Sequence, residues 1–245
     1  MDYKTYKCSV PEYIKGSLLY LIIICTVAYF FYRSFWAAII LLPGIYFFFK
    51  IYKNNLKISR QKKLLLEFSE TLNSVSINIK AGYALENGFV EAYKDMRMFY
   101  GEKSLMAEEI LRIRKGLELN VTLEELMTDL GERSGLEDII LFSGVLKSAK
   151  RNGGNITEVL STSSVRVRSK ICVDNEIELI IAEKKLEMRI MEIVPFFILV
   201  YLGITSKGYF DILYIGIKSR LFMTACLAVY VAAVLLSTRI TNIEI

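Results

Sequence analysis

The residues in this chain with most capacity for chemistry are its carboxylates: Glu67, Glu70, Glu86, Glu91, Glu108, Glu109, Glu124, Glu125, Glu132, Glu137 and Asp138. None stands at a diagnostic spacing from a nucleophile or a metal ligand. The 245 residues include no histidine, which removes His-based triads, HExxH zinc sites and imidazole acid–base catalysis together. Of the four cysteines, Cys25 and Cys226 lie in apolar runs, Cys8 and Cys172 lie outside them, and none has metal spacing. Asn152-Gly153-Gly154-Asn155 lacks both the GxxxxGK[ST] pattern and a preceding strand, so it is a tight turn rather than a phosphate loop. No catalytic, cofactor-binding or metal residue emerges, and the chain is expected not to be an enzyme. Most of the carboxylates fit solvated helix faces. The functional alternative is a charged docking surface, for which Glu124, Glu125, Arg133, Glu137 and Lys147 are the candidates.

The elements that would hold such a surface are helices. Residues 53–190 contain no proline, and apolar residues recur at spacings of three and four. A helix is expected over about 59–80, with Leu64, Leu65, Phe68, Leu72, Val75 and Ile79 on one face. Another follows at about 84–99, burying Leu85, Phe89, Ala92 and Met96, and a third at about 104–117. Thr122 with Glu125, Ser134 with Glu137, and Asn155 with Glu158 have capping-box spacing and predict three further starts. Gly82, Gly153 and Gly154 mark structural turns. The break at 81–86 echoes that at 153–158, as if the domain had two similar halves. The last helix meets no breaker before Pro195.

Around this charged centre lie four apolar runs, at 17–32, 34–49, 193–206 and 221–238, and the chain is 53% hydrophobic while still 23% charged. Runs of this length approach the ~17–25 residues of a spanning helix. The expected architecture is therefore an all-α integral membrane protein: an N-terminal segment 1–15, a transmembrane hairpin 16–50, a helical-bundle domain 53–189 and a second hairpin 190–240. Basic clusters at Lys4, Lys7 and Lys15, at 50–63, and at Lys184, Lys185 and Arg189 put the N-terminus and the central domain on the cytoplasmic side of a cell (inner) membrane. The net charge of +5 is then a topology signal, met by anionic lipid rather than by nucleic acid. Glu192 sits at the edge of the third run, and Pro195 should bend or loosen the helix there.

Leu64-Leu65-Leu66-Glu67-Phe68 leading to Ile79-Lys80-Ala81-Gly82-Tyr83-Ala84-Leu85, the segment Ala149 to Leu160, and Val165-Arg166-Val167-Arg168 followed by Arg189 to Pro195 together carry a resemblance. Over about 64–200 the chain resembles the inner-membrane platform proteins of type II secretion and type IV pilus machines, in the single-domain form of tight-adherence (Tad/Flp) pili. It departs from them in having Glu187-Met188 where a glycine is usual. The resemblance implies a platform that binds a cytoplasmic hexameric assembly ATPase and couples it to pilin extraction and polymerisation. It also implies partnership with itself or a sister platform protein and with pilin subunits. Arg168, Arg189, Glu192 and Pro195 would couple the helical domain to the membrane. The alternatives are a membrane-anchored adaptor for another cytoplasmic protein, or a small transporter or membrane enzyme.

Overall fold

The computed structural model describes residues 3–4, 10–27, 44–205 and 217–241, and every regular element among them is an α-helix. In chain order these are α1 (Val10–Val27), α2 (Gly44–Lys80), α3 (Leu85–Tyr100), α4 (Leu105–Glu118), α5 (Leu123–Ser134), α6 (Glu137–Asn152), α7 (Ile156–Thr205) and α8 (Ile217–Thr241). The chain divides into two compact units, residues 1–7 with 53–173 and residues 8–52 with 174–245.

In the first unit the apolar spacing becomes a core. Leu64, Phe68, Leu72 and Val75 of α2 are fully buried, and Leu85, Phe89, Ala92 and Met96 of α3 join them. Phe68 meets Phe142 of α6 edge-on, with ring centroids 5.4 Å apart, an arrangement that adds to area burial. Thr122 caps α5 by accepting from the Glu125 N–H at 3.4 Å, and Asn155 accepts from Glu158 N–H at 3.3 Å. Ser134 does not open α6. It is the last residue of α5, its hydroxyl donates to the Gly131 carbonyl at 2.9 Å, and α6 begins after Leu136 with no side-chain cap. Spacing alone cannot distinguish a serine that closes one helix from one that opens the next.

Gly82 and Gly153 both adopt the left-handed region, at φ +95° and +68°. After each, the next N–H returns five residues: Tyr83 to the Asn78 carbonyl at 3.1 Å, and Gly154 to that of Ala149 at 2.8 Å. Both helices thus end by one carbonyl-satisfying motif that suits glycine. Gly131 does something different. A Cβ there would lie 3.2 Å from Ile140 Cα and 3.3 Å from Ile140 N, so the absence of a side chain lets α5 and α6 pack backbone against backbone.

Two polar stitches span long stretches of sequence. Ser69 and Ser164 donate reciprocally to each other's carbonyls, at 3.1 and 3.0 Å, joining α2 to α7. Glu67, wholly buried, accepts from the Ser104 hydroxyl at 2.9 Å and from the Met106 N–H at 2.8 Å. Its carboxylate thereby satisfies a first-turn donor of α4, where the helix dipole favours negative charge.

The second unit is built from aromatic contacts. Tyr13 of α1 meets Phe49 with centroids 5.4 Å apart, and Tyr20 meets Phe48 at 5.2 Å. Phe196 packs edge-on to Tyr230 at 5.6 Å, and the Tyr230 hydroxyl donates to the Glu192 carbonyl at 2.7 Å. Helix α7 continues through Pro195 to Thr205, with Phe197, Tyr201 and Ile204 exposed.

The expected transmembrane hairpins are corrected here: among the described residues, no helix is long and apolar enough to cross a membrane. The described apolar stretch of α7, up to Thr205, is preceded by Arg189 and Glu192, and Lys15 lies within α1. Residues 28–43, covering the end of the first run and most of the second, and residues 206–216 lie outside the described residues, as do 1–2, 5–9 and 242–245. The multi-pass topology, the inner-membrane localisation with cytoplasmic N-terminus and centre, and the lipid-contacting role of the basic bands fall with the hairpins. What stands is an all-α helical fold.

Candidate docking surface

The docking candidates sit on the antiparallel pair α5 and α6, and the structure divides them. Glu125 and Glu137 occupy the first turns of α5 and α6 and are exposed, and Lys147 is exposed farther along α6. Glu124 is mostly covered, because Lys150 Nζ reaches it at 3.1 Å and also holds Glu86 at 3.0 Å. The Glu86 hydrogen bond is the chief cause holding Lys150 above the usual lysine pKa. For Glu86, burial pushes the carboxyl up, but the Lys150 hydrogen bond and charge outweigh it and the net shift is down.

Arg133 is turned inward. Its guanidinium grips Glu109 with two hydrogen bonds, at 2.7 and 3.1 Å, and Asp129 with a third at 2.7 Å. Burial disfavours its charge, but those carboxylates more than compensate and raise its pKa. Glu109 is only 2% exposed and also accepts from the Tyr3 hydroxyl at 3.0 Å. The Tyr3 N–H donates to the Arg133 carbonyl at 3.0 Å, and Arg60 lies 5.0 Å from the Tyr3 ring centre. Burial first, then the Glu109 charge, pushes the Tyr3 phenol well above its ordinary range. Arg133 is therefore a structural clasp between α4, α5 and the N-terminal residues. No local sequence signal marks that role, since Tyr3, Glu109 and Arg133 are far apart in the chain.

The open surface adds Asp129 and three apolar residues of α6 to the charges already named. Glu125, Asp129 and Glu132 are exposed at spacings of four and three along α5, forming an acidic ridge opposite the core-facing Met127, Leu130 and Gly131. Beside it on α6, Ile140, Leu141 and Val145 are 47, 46 and 48% exposed, and a Cβ at Gly144 would meet nothing within 4 Å. The available signal was an excess. Helix α6 needs only Ile139, Phe142 and Leu146 for its core face, so Leu141 and Val145 are surplus apolar residues on another face.

The remaining candidates are dispersed. Arg168 pairs with Glu70 at 3.5 Å between α7 and α2. Arg189 and Pro195 are exposed on α7, while Glu192 is half-buried, with Oε1 lacking a hydrogen-bond partner among the described residues. A cleft of about 280 Å³ is lined by Tyr93, Arg97, Glu102, Ala107, Glu108 and Leu111, but Arg97 is tied to Glu102, and the lining pairs no nucleophile with a base. No cluster of three or more His, Cys, Asp or Glu able to hold a metal occurs among the described residues.

No family model, curated protein or solved structure matches this chain. The resemblance to secretion and pilus platform proteins is thereby overturned, together with the assembly ATPase, sister platform and pilin partners and the coupling roles of Arg168, Arg189, Glu192 and Pro195 that depended on it. The membrane adaptor and transporter readings lose their support with the spanning helices. What the chain presents in their place is a helical fold with exposed acidic residues on α5 and exposed apolar residues on α6.

Proposed function

We propose that this chain is a non-catalytic helical docking protein, and that its first unit offers the outer face of α5 and α6 to a protein partner. The observation that carries this reading is an exposed acidic ridge, Glu125–Asp129–Glu132, on α5 and exposed apolar residues, Ile140, Leu141 and Val145, on α6, two helices packed together at Gly131 and Ile140. Specific interfaces combine apolar contact with a charged border that selects the partner. The close Gly131–Ile140 packing holds both helices in fixed relation, so the surface needs little ordering on binding. Glu125, Glu137 and Lys147 belong to its rim, while Glu124 and Arg133 position it from behind.

Site-specific photo-crosslinking in the native cell tests the proposal. A photoreactive side chain at Leu141 or Val145 should yield discrete protein adducts, and one at the exposed Lys115 of α4 should not. Absence of adducts at both α6 positions would refute a docking role for this face.

A further inference from the structure

We infer that the partner element seated on this face is an amphipathic helix whose apolar stripe is bordered by lysine or arginine. The inference rests on the docking role proposed above and adds the chemistry of the occupant.

Two features of the face select it. The first is shape. Ile140, Leu141 and Val145 surround Gly144, above which nothing stands within 4 Å of an added Cβ, and Ser148 continues the same exposed face one turn on. A shallow apolar strip with small residues along its middle lets another helix approach closely, reading it at i, i+3, i+4 and i+7. An extended peptide gains little here, because a helix surface has no free backbone edge to pair with.

The second is charge. Segment 122–138 carries six carboxylates, Glu124, Glu125, Asp129, Glu132, Glu137 and Asp138, against the single Arg133, in a chain whose net charge is +5. Within that segment Arg133 is committed to Glu109 and Asp129, and Asp138 is paired with Lys170 at 2.8 Å. Glu125 and Glu132 have no ion pair among the described residues, and they share one side of α5. With Glu124 held by Lys150 at 3.1 Å and Lys147 the exposed cation on the rim, the ridge stays acidic, and its helix packs against the helix that carries the apolar strip. An acidic or uncharged helix would leave these carboxylates unpaired or repelled at the interface edge. A basic border converts the same edge into attraction.

The test uses the full chain and two 18-residue peptides, both with leucines at i, i+3, i+4 and i+7. One carries lysine at every other position and the other glutamate, and binding is followed by fluorescence anisotropy. The lysine peptide should bind, more weakly at high salt, and the glutamate peptide should not. The double variant E125K/E132K should weaken the lysine peptide by about tenfold or more, as expected for two reversed contacts. Leu141→Arg should weaken it through the apolar strip. All three substitutions are at exposed positions, and unchanged circular dichroism verifies the fold. Failure of the lysine peptide to bind, equal binding of both peptides, or binding indifferent to E125K/E132K would overturn the basic-helix inference. Crosslinks at Leu141 and Val145 in that case would leave the docking role standing with a different partner. Capture of the chain by phospholipid vesicles through these same residues would overturn both.

Discussion

Removing the Glu67 carboxylate should loosen the first unit at one identifiable place, the start of α4. In the native fold its Oε2 receives the Ser104 hydroxyl at 2.9 Å and the Met106 N–H at 2.8 Å. Lys63 stands 3.6 Å from Oε1 with its own side chain 46% exposed. Glu67→Ala strands two buried donors at about 1–3 kcal/mol each. The exposed Lys63 rehydrates, so the loss of its pairing adds less than about 1 kcal/mol. The expected cost is about 2–6 kcal/mol, a fall of about 1–3 M in the urea midpoint at a slope of about 2 kcal/mol per M. Glu67→Gln keeps the shape and one acceptor and should cost about half as much. Hydrogen exchange supplies the local measure: the amides of Met106 and Ala107 should lose protection by about thirtyfold or more, since 1.4 kcal/mol is a factor of ten. Because Ser104 also caps Ala107 at 3.0 Å, Ser104→Ala should affect the same amides. A Glu67→Ala loss below about 1 kcal/mol, or an unchanged Met106 amide, would refute the capping argument.

Four further outcomes follow. Gly131→Ala should destabilise by about 1–3 kcal/mol, because its Cβ meets the α6 backbone, whereas Gly144→Ala, in open space, should stabilise by up to about 1 kcal/mol; equal effects in chemical denaturation would negate the close-packing account. Gly82→Ala and Gly153→Ala meet no atom within 4 Å, so each should cost about 1–2 kcal/mol from left-handed backbone alone, and unchanged stability would void the turn assignment. Tyr3→Phe should cost about 1–2 kcal/mol near neutral pH through the lost bond to Glu109. The raised Tyr3 pKa means that the native state holds its phenolic proton more tightly than the unfolded chain. The corresponding stability is complete below about pH 10 and declines as pH rises above it, so wild type should lose stability faster there than Tyr3→Phe in paired pH titrations.

Helical periodicity was the part of the fold most legible in the sequence. Leu64, Phe68, Leu72, Leu85, Phe89 and Met96 are buried where the spacing placed them, because a 3.6-residue period reports the core face directly. Thr122 and Asn155 were readable as caps, and Ser134 was not, since its hydroxyl donates back to Gly131 and accepts from Leu136, before the first turn of α6. Apolar runs misled about architecture: they count side chains alone, whereas among the described residues no helix is long and apolar enough to cross a membrane. At the candidate site, Glu125, Glu137 and Lys147 were visible as surface charges. The inward turn of Arg133 was not, because it depends on Glu109, 24 residues away, and on Tyr3. The apolar half of the site was not legible, because Leu141 and Val145 lie off the core period set by Ile139, Phe142 and Leu146.

The reciprocal Ser69–Ser164 bonds also set an order of events during synthesis. The two serines are 95 residues apart, and α7 supplies Leu160 and Val167 to the covered region beside that stitch. Long-range pairings of this kind form only after the intervening chain exists. A nascent chain arrested anywhere before residue 164 therefore holds α2 without its last cover, leaving apolar surface open to chaperones or to aggregation. The finished bundle's stability is thus unavailable to the chain until the start of α7 has been made.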